Sequence, residues 1–272
     1  MGVTKDWCPE NSSGGYGGMV SLKSALAKSI NTVSARLMHR VGPEPVINLI
    51  NKLGVDTENI PAVPSIALGT ADLSLFEMVS AYSAFANQGV YVAPQMVNTI
   101  RDKNGTVLYQ NVPEPRDVLS KESAYVTVNL MEGVTQYGSG ARLRTGASQR
   151  YDYKNVVTGY PYGFTNPIAG KTGTTQNQSD GWFMGMVPNL VTGVWVGGED
   201  RSVHFPGIRY GQGATMALPI WAMYMRDCYE DDDLNVSKEA FEKPENLSIR
   251  IDCSKPAESD PANNELPDEL DF

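Results

Sequence analysis

Lys171 stands alone among small and hydroxyl-bearing residues in Ile168-Ala169-Gly170-Lys171-Thr172-Gly173-Thr174-Thr175. Its side chains alternate as on an extended strand, so Lys171, Thr172 and Thr174 would set one ammonium and two hydroxyls along a ligand. Gly170 and Gly173 weaken a strand interior, and such glycines are kept where something lies close against the backbone. A peptide-like ligand, added as one more strand on free N–H groups, is one such thing. An edge strand guarded by a lysine against aggregation is the other reading of these residues. A second polar pair, Ser29 and Asn31, interrupts a helical pattern and could project from an irregular turn toward the same cleft. Alternatively, either residue caps the following helix, a position that favours Ser and Asn.

The elements that must position these groups are legible in the periodicities. After the lysine strand, residues 181–187 and 191–196 read as two further strands joined at Pro188-Asn189-Leu190, which makes a three-stranded antiparallel meander. Helical spacing begins at Val20 with Ser21 as N-cap, breaks at Ser29-Ile30-Asn31, and resumes from Val33 until Gly42-Pro43. Residues 45–53 form a short helix ended by Gly54. Asp72 is expected to cap a helix whose Leu75, Met78, Val79, Tyr82, Phe85 and Ala86 face the core. Residues 97–100 and 106–109 flank an Asn-Gly turn, and Ser120 caps a helix that runs out at Tyr137-Gly138-Ser139-Gly140. Residues 141–166 read as a long surface segment, a rim or lid beside the site. An apolar helix over residues 214–229 would cover one sheet face, with Pro219 starting or kinking it.

Composition narrows the function. With 41% hydrophobic and 19% charged residues the 272-residue chain is globular, and a net charge of −9 without a basic cluster argues against nucleic acid as a partner. Cys8, Cys228 and Cys253 form no metal-ligand spacing, and His39 and His204, the only histidines, leave little room for a histidine-dependent triad or a two-histidine metal site. No metal or cofactor is called for. No apolar run is long enough to cross a membrane. Residues 254–272 are acidic, rich in Pro and Asn, and expected to be a disordered tail after a domain spanning 1–253.

Lys171-Thr172-Gly173 resembles the KTG element of penicillin-binding proteins and serine β-lactamases, and Ser29-Ile30-Asn31 resembles their S-x-N element. The segments 18–32, Ile66-Ala67-Leu68-Gly69-Thr70, 81–89 and 169–175 are similar, in order, to bifunctional class A penicillin-binding proteins. The resemblance implies an α+β transpeptidase fold, an antiparallel sheet flanked by helices. One departure is large: no serine has a lysine three positions on, so the S-x-x-K element with the nucleophile is absent. In the family that element precedes a Trp-x-Pro-x-Asn segment, here Trp7-Cys8-Pro9-Glu10-Asn11. The expectation is therefore an N-terminally truncated transpeptidase domain, inactive by itself and exposing apolar sheet surface.

The same resemblance assigns roles. Ser29 would relay a proton, Asn31 would hold the substrate amide and the upstream lysine, and Lys171 would supply positive potential for a terminal carboxylate. Thr172 and Thr174 would bind that carboxylate, the Thr174 N–H would be half of an oxyanion hole, and Gly173 would keep the wall flat beside Thr175. The implied partners are peptidoglycan stem peptides and β-lactams. A glycosyltransferase domain and a membrane anchor upstream would place the chain at the periplasmic face of the cytoplasmic membrane. A non-catalytic cell-wall peptide or protein binding module is the alternative.

Overall fold

The structure, a computed structural model, describes residues 7–12, 14–144 and 158–251. In chain order the helices and strands are α1 (Leu22–Ala27), α2 (Asn31–Val41), α3 (Pro43–Lys52), α4 (Leu75–Ala86), β1 (Val90–Tyr91), β2 (Thr99–Arg101), β3 (Val107–Gln110), β4 (Arg116–Asp117), α5 (Lys121–Gln136), β5 (Ala169–Thr174), β6 (Asp180–Val187), β7 (Leu190–Gly197), α6 (Ile208–Gly211) and α7 (Gly213–Glu230).

The expected meander is present as an antiparallel sheet in the order β5-β6-β7. Its hairpin is tighter than expected: Val187 pairs with Leu190, so the connection is only Pro188-Asn189. β6 is apolar along most of its length because both of its faces are covered. Phe183 and Val187 point to one side, where they join Leu143, Ile168, Leu218, Trp221 and Met225 in a core roofed by α7. Met186 and Ala169 point to the other, against Val128 and Met131 of α5 and Phe241. The Phe183 and Trp221 rings meet edge to face at 5.2 Å between centroids, and burying a ring of this size contributes about 2–3 kcal/mol.

Three sequence expectations are corrected. Ser74, not Asp72, caps α4: its hydroxyl accepts the Glu77 N–H while the Glu77 carboxylate accepts the Ser74 N–H, a reciprocal box. Asp72 lies two residues outside and pairs with Arg201. Within 141–166 the described residues are not all surface, since Arg142, Leu143, Tyr162 and Phe164 are buried. Arg144 nails this stretch down by donating to the carbonyls of Thr135 and Asn166; residues 145–157 lie outside the described residues. Pro219 sits buried within α7, so of its two expected roles, starting or kinking the helix, the first is excluded. The proposed tail, residues 254–272, and Cys253 also fall outside the described residues. Elsewhere the expected helices, the hairpin of β2 and β3, and the caps at Ser21 and Ser120 are in place.

Candidate functional site

The helix break that carries Ser29 has a defined cause. At the end of α1 the Ile30 N–H donates to the Ala25 carbonyl at 2.9 Å and the Ser29 N–H to the Leu26 carbonyl at 3.1 Å. This is the paired closure in which the residue just past the helix turns left-handed, a place usually taken by glycine. Here Ser29 takes it, with φ of 54°, and a side chain in that region costs roughly 1 kcal/mol. A non-glycine residue held there points to a task for its side chain.

That task is visible in the partner its hydroxyl faces. Lys171, projecting from β5, donates from Nζ to Ser29 Oγ at 2.9 Å and to the Thr172 carbonyl at 2.8 Å. The residue as a whole is half-buried, yet burial around its amine pulls the pKa from 10.5 down to about 8. Among the described residues no carboxylate lies within ion-pair distance of it. Because Ser29 Oγ accepts from the ammonium, its own proton is free to be donated elsewhere.

The strand beyond Lys171 is anchored from three directions. Thr172 Oγ1 and Ser139 Oγ lie 2.6 Å apart. Thr174 Oγ1 accepts the N–H of Gly213, the first residue of α7, at 3.0 Å and so keeps its proton for another acceptor. Thr175 Oγ1 accepts the Asp180 N–H at 2.9 Å and pairs with Ser179, closing the turn into β6. Beneath that turn, buried Asp180 accepts from Ser179 and from the Trp195 indole.

Ser29 and Lys171 thus converge as the sequence suggests. Asn31 starts α2 rather than capping it, and its amide donates to the Glu10 carbonyl at 2.7 Å, while Asn11 Oδ1 accepts from the N–H and hydroxyl of Thr32. Gly170 owes its smallness to the protein interior: a Cβ there would lie 2.8 Å from the Met184 carbonyl and 3.0 Å from the Phe183 ring. Gly173 lies against the Trp182 Cβ, 2.9 Å from where its own would be. Sequence reasoning missed Ser139 and Gly213 as parts of the site, because nothing in their neighbourhoods marks them beyond a cluster of small residues. The cluster Gly138-Ser139-Gly140 was the available clue.

The chain matches the penicillin binding protein transpeptidase domain family over residues 2–198. It is 34% identical over 250 residues to penicillin-binding protein 1A of Aquifex aeolicus, a match covering 91% of this chain and 30% of that protein. It therefore spans about a third of the length of such curated relatives. In three dimensions it is similar to penicillin-binding protein 1A from Haemophilus influenzae, with a TM-score of 0.73 and 23% identity over 89% of this chain and 38% of that one. The PonA1 protein from Mycobacterium tuberculosis in complex with penicillin V gives a TM-score of 0.69 and 25% identity, over 88% of this chain and 63% of that one.

Proposed function

Since the chain belongs to the penicillin-binding protein transpeptidase family and has its α+β fold, we infer that it forms one wall of a D,D-transpeptidase site for peptidoglycan stem peptides. The observation that carries this is the 2.9 Å contact from Lys171 Nζ to Ser29 Oγ. It makes a proton-conducting pair out of two groups that belong to the KTG and S-x-N elements. In the reaction a serine attacks the penultimate D-Ala carbonyl, the terminal D-Ala leaves, and the acyl group passes to an amine of a neighbouring stem. Ser29, charged with a proton through Lys171, protonates the leaving amine and later takes a proton from the attacking one. Lys171 and the hydroxyls of Thr172 and Thr174 hold the terminal carboxylate, with Gly173 leaving the wall low and Thr175 fixing the strand's end. The Thr174 N–H serves the developing oxyanion. Asn31 orients the substrate amide through the part of its side chain not engaged with Glu10.

The nucleophile is not among these 272 residues, none of whose serines begins an S-x-x-K. A glycosyltransferase domain and a membrane anchor belong, on this reading, to sequence upstream; no helix of the described residues is long and apolar enough to cross a membrane. Fluorescent penicillin tests the reading. The 272-residue chain should take no covalent label, and a longer polypeptide with an in-frame S-x-x-K upstream should take one. Labelling of the chain itself, or none of the longer one, overturns it. The absence of S-x-x-K also favours a second reading, a cell-wall peptide-binding cleft without catalysis, which predicts reversible peptide binding and no labelling in either length.

A further inference from the structure

Ser139 occupies a place that neither motif accounts for. It follows α5, where the Gly138 N–H returns to the Gly133 carbonyl at 3.0 Å and Gly140 to the Val134 carbonyl at 2.9 Å, so the turn is rigidly closed. The Ser139 N–H donates to the Ala27 carbonyl at 2.9 Å, two residues before Ser29. Its hydroxyl meets Thr172 Oγ1 at 2.6 Å, at the short end of the hydroxyl–hydroxyl range. The approach to α1 is enforced: a Cβ on Gly138 would lie 2.1 Å from the Ala27 carbonyl oxygen. One residue therefore ties the two elements together, by backbone to the helix that presents Ser29 and by side chain to the strand that presents Lys171.

The two hydroxyls hold two protons and spend one on each other, and both residues are half-buried rather than sealed. With Ser139 donating, the proton of Thr172 is left for another acceptor. We propose that Ser139 is a positioning residue that fixes the Thr172 hydroxyl as a donor to the terminal carboxylate of the bound peptide. This rests on the transpeptidase reading above and extends it to a residue outside the KTG and S-x-N elements.

The test uses the 272-residue chain and two peptides, an acylated D-Ala-D-Ala with a free carboxylate and the same peptide with a C-terminal amide. Binding is followed by amide chemical shifts in NMR titrations of wild type, Ser139→Ala and Ser139→Thr. Wild type should prefer the carboxylate peptide. Ser139→Ala should lose about tenfold of that preference, the worth of one hydrogen bond to a charged group, with affinity for the amide peptide unchanged. Ser139→Thr, which keeps the hydroxyl, should restore it. An undiminished preference in Ser139→Ala, an equal loss toward both peptides, or no rescue by Thr overturns the role of Ser139 while leaving the transpeptidase reading standing. Absence of any carboxylate preference in wild type overturns that reading, and this inference with it.

Discussion

Lys171 Nζ and Ser29 Oγ lie 2.9 Å apart across 142 positions of sequence, and Ser29 holds its place at the expense of a left-handed backbone. Replacing Ser29 by Gly should relax that backbone by roughly 1 kcal/mol, a gain offset below the Lys171 pKa, where the buried ammonium is left short of an acceptor. The same change removes an acceptor of the ammonium, so the Lys171 pKa should fall below about 8. Denaturant midpoints and NMR titration of the lysine side chain check both signs; a stable variant with an unmoved lysine would show the pair is not made in solution.

The lowered pKa of Lys171 also ties stability to pH. Its pKa is about 8 in the fold against 10.5 ordinarily, so between these values the unfolded chain holds a proton that the folded chain has released. Stability contributed by this group therefore rises with pH through that window, and the full penalty of burying the charge is present below it. Lys171→Met should be more stable than wild type at pH 7, by roughly 3 kcal/mol at most. That advantage should vanish as pH climbs from 8 to 10.5, as urea melts at several pH values would register.

Gly213 is where α7 rests on the lysine strand. A Cβ there would lie 2.2 Å from the Gly173 carbonyl oxygen and 2.4 Å from that of Trp182. Gly213→Ala should cost roughly 1–3 kcal/mol by forcing backbone apart and should pull the Gly213 N–H from Thr174. Gly207→Ala, at a position with nothing within 4 Å, is the control and should leave the melting temperature nearly unchanged.

The reciprocal box at the start of α4 gives a smaller expectation. Ser74→Ala should destabilise by about 1 kcal/mol, whereas Asp72→Ala, which loses only an exposed contact with Arg201, should be close to neutral. Paired thermal melts distinguish them.

Much of this was readable in the chain, and the omissions have physical reasons. Period-two alternation and turn chemistry placed the sheet, and helical spacing placed α4, α5 and α7, because both signals are local. Lys171 and Ser29 were legible as odd residues for their settings, a lone ammonium between glycines and a hydroxyl at a helix break. Ser139 meets Thr172, and Gly213 meets Thr174, only through tertiary packing, which no window of sequence contains. Residues 158–166 looked like surface for want of a period, yet Tyr162 and Phe164 are core; irregular backbone can be interior when arginines satisfy its carbonyls, as Arg144 does here. The cap at α4 was misplaced by two residues because Asp72 and Ser74 are both acceptable caps, and only Ser74 has Glu77 three positions on.

Trp182 stands directly across from Gly173 in the strand register, and its indole leans on that of Trp195 at 6.3 Å, whose nitrogen is held by Asp180. The face of the sheet that carries Lys171 thus holds its own chromophore. Anything that lies along the lysine strand and flexes it shifts the surroundings of this indole pair, so occupancy can be watched by emission spectroscopy without attaching a dye.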